Sequence, residues 1–209
     1  MIGTERWHWI QNQGSRRTHS PVHRLLDQGA PSRLVHVLVA GRVRVVYTDE
    51  GGNEVLVAVR GPGDLLGEYA QRDRGAHSAS VWTLEACTTS VLTAAAFEGF
   101  IQREQLSDAL QRYMLGKARQ VGERVWRAAN LQSEQRLAQF FLEVVNADPG
   151  AAEPTVPMGQ QLIADSLGIA RRTVTALLTQ WKEHGLVRTK PSLVTILDLP
   201  ALTRRAHLR

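Results

Sequence analysis

In the stretch Gln160-Gln161-Leu162-Ile163-Ala164-Asp165-Ser166-Leu167-Gly168-Ile169-Ala170-Arg171-Arg172-Thr173-Val174-Thr175-Ala176-Leu177-Leu178, two short helices and the turn between them are spelled out. Helices that cross steeply need a small residue where they touch and a turn residue tolerant of positive φ, and Ala164 and Gly168 stand four apart to meet both needs. Ile163, Leu167, Ile169, Val174 and Leu177 then fill the inward positions. With that packing, Arg171, Arg172, Thr175 and Ala176 face outward from the first turn of the second helix. Such a tip enters the major groove of duplex DNA, where arginine contacts guanine through two hydrogen bonds. The candidate DNA contacts are therefore Gln160, Gln161, Arg171, Arg172, Thr173, Thr175 and Ala176, with Lys190 from the hairpin that follows. Gly185 reads as the helix C-cap. Leu186-Val187-Arg188 and Leu193-Val194-Thr195-Ile196 flank Lys190-Pro191-Ser192, a wing beside the DNA backbone.

Charge supports this placement. The net +5 of the 209-residue chain falls wholly between Val156 and Arg209, where eight Lys or Arg face three acids. A polyanion would be met there. The apolar and charged fractions, 43% and 22%, suit an ordinary globular protein. No run approaches a membrane span, and the arginines before Thr18 flank no secretory core, so a cytoplasmic protein without membrane contact is expected. A lone Cys87 makes no internal disulfide, four-thiolate zinc site or iron–sulfur cluster, and reads as a small buried hydrophobe.

Upstream, Val35, Val37 and Val39 alternate with His36 and Leu38, and Val43, Val45 and Tyr47 with Arg42 and Arg44, with Gly41 at a bend. That is strand period. Asp49-Glu50-Gly51-Gly52-Asn53 then turns the chain into Val55, Val57 and Val59, which predicts an antiparallel hairpin. After Phe97 the period changes. Leu110, Met114, Ala118, Val121, Val125 and Ala128 recur at spacings of three and four, which predicts a long helix from Glu104 to Asn130 whose stripe pairs with a second copy of the chain, in preference to the alternative of packing on its own domain. Leu137, Phe140, Phe141, Val144 and Val145 form a second amphipathic helix, stopped by Asp148-Pro149-Gly150. At this length two domains are expected, each with its own core.

The order of β-roll, long helix and winged helix-turn-helix resembles the superfamily of the catabolite activator protein and the fumarate and nitrate reduction regulator (CRP/FNR). Its second anchor is Gly63-Asp64-Leu65-Leu66-Gly67-Glu68, followed by His77-Ser78-Ala79-Ser80-Val81. The resemblance covers the chain from about Val22 to Leu197 and implies an α+β architecture: a cyclic-nucleotide-binding-like jelly roll over 22–103, a dimerisation helix over 104–130 and a winged helix-turn-helix over 131–209, with a leader over residues 1–21, containing Trp7 and Trp9, that it does not explain. It implies a bacterial transcription regulator that binds a pseudo-palindromic operator as a homodimer and meets RNA polymerase. The implied effector residues are Gly67, Glu68, His77 and Ser78, with Val121 and Gly122 where the family's hydroxyl side chains meet adenine. Glu68 would hold a ribose hydroxyl, and amides after Gly67 would face the phosphate.

The sequence departs from the family where a cyclic phosphate would need an arginine, because His77 stands there and is mostly neutral at pH 7. Val121 and Gly122 have no group to bond a base edge, so a degenerate cyclic-AMP site is expected. In the reading helix the family's arginine, glutamate, arginine pattern becomes Arg171, Arg172 and Ala176. Ala170 replaces the usual serine cap, with Gln161 or a phosphate as the compensating group. Rival readings are a nucleotide-responsive regulator of altered specificity, a haem or metal sensor using His77 or His19 and His23, and an enzyme, for which no catalytic motif is present.

Overall fold

The structure is a computed structural model that describes residues 4–31 and 33–207, the first five of them by backbone alone. The start of the expected leader, the Trp7 side chain and Arg209 lie outside the described residues. Helix α1 (Thr4–Gln13) leads into strands β1 (Ser15–His19), β2 (Arg24–Leu26), β3 (Leu34–Ala40), β4 (Val43–Thr48), β5 (Glu54–Arg60) and β6 (Leu65–Leu66). A one-and-a-half-turn helix α2 (Glu68–Asp73) precedes β7 (Ser80–Thr83) and β8 (Cys87–Thr93). These strands form two antiparallel sheets, ordered β1-β8-β3-β6 and β2-β7-β4-β5, which make the roll. Gly41, at φ 78°, sends the chain from one sheet to the other.

The β4–β5 hairpin forms as its turn residues dictate. Gly52 takes φ 81°, and the Asp49 carboxylate accepts the Gly51 and Asn53 amides at 2.8 Å. Its alternation is not the expected one, since a bulge between Val45 and Val46 changes the phase. Val46 therefore enters the core, while Tyr47 and Val55 are exposed.

Helix α3 (Ala94–Arg103) was not foreseen, and the long helix α4 spans Ser107–Asn130 rather than starting at Glu104. Gln105 adopts φ 52°, a left-handed turn that ends one helix before the next begins. The leader is built into this region: Ile10 is fully buried, Trp9 stacks on Phe100 at 4.8 Å, and Arg103 lies 4.3 Å from the Trp9 ring. One core of the roll thus gathers Ile10, Val35, Val37, Leu65, Leu92, Phe97, Phe100, Ile101, Leu106 and Leu110.

After α5 (Ser133–Asn146), the chain forms β9 (Thr155–Val156), α6 (Gln160–Leu167), α7 (Arg171–Glu183), β10 (Val187–Lys190), β11 (Leu193–Ile196) and α8 (Leu199–Ala206). β10 and β11 are the expected wing, extended by β9 into a three-stranded sheet. The expectation of separate cores fails. Val46, Leu56, Val59 and Leu84 of the roll belong to the same buried cluster as Leu137, Phe141, Val174, Leu178 and Trp181. Gly61 permits the close approach, because a Cβ there would lie 1.7 Å from the Ala147 carbonyl oxygen at the end of α5.

One buried base gives the roll an acid sensitivity. Burial, then the neighbouring His19, Arg17 and His77, push His36 down from 6.5 to about 4. A base whose folded pKa is depressed contributes full stability above pH 6.5 and loses it progressively as pH falls toward 4. Urea midpoints should therefore fall between pH 7 and pH 4.5, and His36→Gln should flatten that slope. An unchanged slope would locate the sensitivity elsewhere.

Candidate nucleic-acid interface and effector cavity

The helix pair owes its geometry to the residues inside it. Ile163, Ala164 and Val174 are buried to within 1% exposure, and Gly168 caps α6 at φ 59° with its amide bonded to Asp165 O. Leu178 and Trp181 continue that core along α7. The opposite face holds Arg171, Arg172, Thr175 and Ala176, all exposed, with Thr173 and Gln160 half-buried beside them and Gln161 and Lys190 exposed. The Thr175 hydroxyl lies 2.7 Å from Gln160 Oε1 and 3.1 Å from Arg171 O, so it ties the two helices together before any DNA is met. Ala170 offers no side-chain cap. Gln161 does not compensate, since its amide donates to Asp165 at 2.7 Å, one turn along its own helix. Thr173 N bonds back to Ala170 O at 2.9 Å, and the amides of Arg171 and Arg172 before it have no cap from the Ala170 side chain, as suits an anion-binding helix start.

Most of the expected effector residues border a cavity of about 500 Å³ between the roll and α4. Gly67, Glu68, His77, Ser78 and Val121 are in its wall. Gly122 is not, being one residue, and so about 100° of helix rotation, away from Val121. Gly67 takes φ 87°, and a Cβ there would meet Leu34 O at 3.0 Å and His77 Cε1 at 3.2 Å. Burial lowers the pKa of His77, against the opposing pull of Asp27 and Glu68, so it offers no fixed cation. Glu68 is 2% exposed and paired with Lys117 of α4 at 2.6 Å. Lys117 and Arg60 are wall residues that sequence reading missed, although Lys117 follows Leu110 and Met114 at their own spacing, a cation in an otherwise apolar phase.

Helix α4 divides the expected dimer stripe between two faces. Leu110 is 1% exposed in the roll's own core and Met114 packs against it, so neither is free for a partner. A heptad spacing alone does not distinguish a partner helix from the chain's own sheet. Ala118, Val121, Val125 and Ala128 are exposed, and the large apolar side chains Leu115, at 50%, and Trp126, at 58%, are exposed with them.

His19 and His23 stack at 5.2 Å, with His19 Nε2 2.9 Å from Thr89 Oγ1, and among the described residues no three His, Cys, Asp or Glu side chains gather for a metal. Buried Cys87 is pushed up to about 12, chiefly by burial, and so carries no thiolate at neutral pH. No helix of the described residues is long and apolar enough to cross a membrane.

Two family models match the chain, a Cyclic nucleotide-binding domain over residues 16–104 and a Crp-like helix-turn-helix domain over residues 135–205. The chain is 25% identical over 190 residues to the CRP-like cAMP-activated global transcriptional regulator of Mycobacterium tuberculosis, covering 88% of this chain and 85% of the relative. It is 26% identical to the Cyclic AMP receptor protein of Thermus thermophilus, over 90% of this chain and 86% of that one. Among solved structures, FixK2 from Bradyrhizobium japonicum superposes with a TM-score of 0.78 at 18% identity, covering 94% of this chain and 98% of that one, a likeness of fold.

Proposed function

Because the chain belongs to the CRP/FNR family of DNA-binding transcription regulators, we propose that it recognises a pseudo-palindromic operator as a homodimer, with Arg171 and Arg172 at the base edges. The observation that carries this reading is the cationic, uncapped start of α7, exposed on a helix pair whose inner face is fully packed. Gln160, Thr173, Thr175 and Ala176 flank the tip, and Lys190 on the wing suits a neighbouring phosphate. The α4 face bearing Leu115, Ala118, Val125 and Trp126 supports pairing of two copies, because that much apolar area on one helix is costly to leave in water. Two recognition helices would then meet half-sites about 34 Å apart. RNA polymerase is the partner a regulator of this kind addresses. The effector cavity, which touches α4 through Lys117 and Val121, is placed to set the spacing of the two helices.

Selection of bound sequences from a random DNA pool, followed by titration at several salt concentrations, tests the reading. Arg171→Ala should cut discrimination between the selected operator and random duplex by about 1–3 kcal/mol, or roughly fivefold to 150-fold. Equal weakening on both DNAs would make Arg171 a phosphate contact. Absence of any salt-dependent duplex binding would overturn the proposal.

A further inference from the structure

The cavity beside α4 is apolar over much of its wall, through Leu26, Val45, Val57, Val81 and Val121, and three charged side chains stand in it: Arg60, Glu68 and Lys117. Glu68 is the one carboxylate in that wall, and so the one group there with the charge and paired oxygens to hold the hydroxyls of a sugar. One of those two oxygens is already taken. Lys117 Nζ donates to Glu68 Oε1 at 2.6 Å and to Leu65 O at 2.7 Å, with the Tyr113 ring at 4.7 Å. An ammonium-to-carboxylate bond is about twice as strong as a neutral one, so a hydroxyl does not displace it. Arg60 is the contrasting case. It is 9% exposed, its one side-chain bond runs from Nη1 to Gln120 Oε1 of α4, and among the described residues it has no carboxylate partner. With His77 held toward its neutral form by burial, two cations and one carboxylate leave the wall with a surplus positive charge.

We propose that Lys117 sets the ligand class of this cavity: by taking one oxygen of Glu68 it removes the paired grip on sugar hydroxyls, and the effector is instead a small organic monoanion with an apolar body, its acid group on Arg60. The apolar walls take the body, and the free N–H groups of Arg60 accept a carboxylate in the two-bond geometry a guanidinium favours. Because Arg60 is bonded to Gln120, an acid group there is felt directly by α4. The inference rests on the reading of this cavity as the effector site, and its test is read without DNA.

Calorimetric titration of the full-length protein with octanoate, 1-octanol, cyclic AMP and cyclic GMP provides that test. Octanoate should bind at least tenfold tighter than 1-octanol and tighter than either nucleotide, and Arg60→Gln should abolish the preference for acid over alcohol. Lys117→Met, which frees Glu68, should raise cyclic-AMP affinity at least tenfold, with Lys117→Gln as the substitute if near-ultraviolet circular dichroism shows that the first does not fold. The acid–alcohol comparison needs no variant. Equal or absent binding of acid and alcohol, a nucleotide bound more tightly than octanoate by the native chain, or unchanged cyclic-AMP affinity in both Lys117 variants would each overturn the proposal. Failure here with intact operator binding refutes the ligand class alone, whereas loss of operator binding with the acid preference intact refutes the DNA reading alone.

Discussion

Arg42→Met should destabilise the whole molecule by about 3–5 kcal/mol, the usual cost of removing one partner from a buried charge pair. Arg42 is 2% exposed, and all five of its N–H groups are used. Nε and Nη2 reach the two oxygens of Glu85 at 2.6 and 3.0 Å, Nη1 reaches Val144 O at 3.3 Å and Thr155 O, and Nη2 also reaches Thr155 Oγ1 at 3.1 Å. Glu85 lies in the roll, Val144 on α5 and Thr155 on β9, so one side chain joins the sensor to the C-terminal module. Methionine matches the apolar stem but leaves two carbonyls without their donor and the Glu85 carboxylate with only the backbone amide of residue 42, at 3.1 Å. For a chain of this length the loss corresponds to a fall in Tm of roughly 10 °C. Scanning calorimetry should also resolve the single transition into two. Lysine should not rescue it, since an ammonium has three donors and no planar fork. A loss under 1 kcal/mol in Arg42→Met would mean the network adds little beyond packing.

Trp181→Ala should cost about 3–5 kcal/mol, as expected when a large aromatic is removed from a core that cannot collapse around the gap. Trp181 is fully buried on α7, edge-on to Phe141 with ring centres 5.7 Å apart, and its indole N–H donates to Glu134 at 3.0 Å. That bond, ahead of the ion pair with Arg205, holds the Glu134 carboxyl below its usual range. The reading helix is therefore anchored by its own inner face to α5. Urea denaturation should show the loss, and operator affinity should fall with it because α7 is displaced rather than altered at its tip. Trp181→Phe, which keeps most of the ring and gives up the indole bond, should lose less than half as much. Equal losses would show that the hydrogen bond, and not the ring, is what matters.

What was legible in the chain followed from how local the physics is. The helix-turn-helix is a constellation of neighbours, Ala164, Gly168 and Val174 within a few turns of one another, and reading it required no knowledge of the rest. The hairpin at Gly51-Gly52 is local in the same way. The β4 phase departs from simple alternation because a bulge is set by the partner strand, and Arg42, which local pattern shows only as alternating with the valines, has acceptors up to 113 positions away. Lys117 and Glu68 are 49 apart and meet only because α4 lies across the roll. The break at Gln105 was hidden because glutamine rarely marks a left-handed turn. Leu110 was given to a partner because periodicity reports that a face is buried, not what buries it.

The continuity of Val46, Leu56, Val59 and Leu84 with the interior of the C-terminal module bears on how such a molecule moves. Gly61 pressed against the end of α5 and Arg42 bridging the seam tie the roll to the C-terminal module, so the two should move together. In the proposed dimer the fulcrum would then lie between copies, along α4, where a few degrees of rotation at the axis would sweep the distant arginine tips through several ångströms.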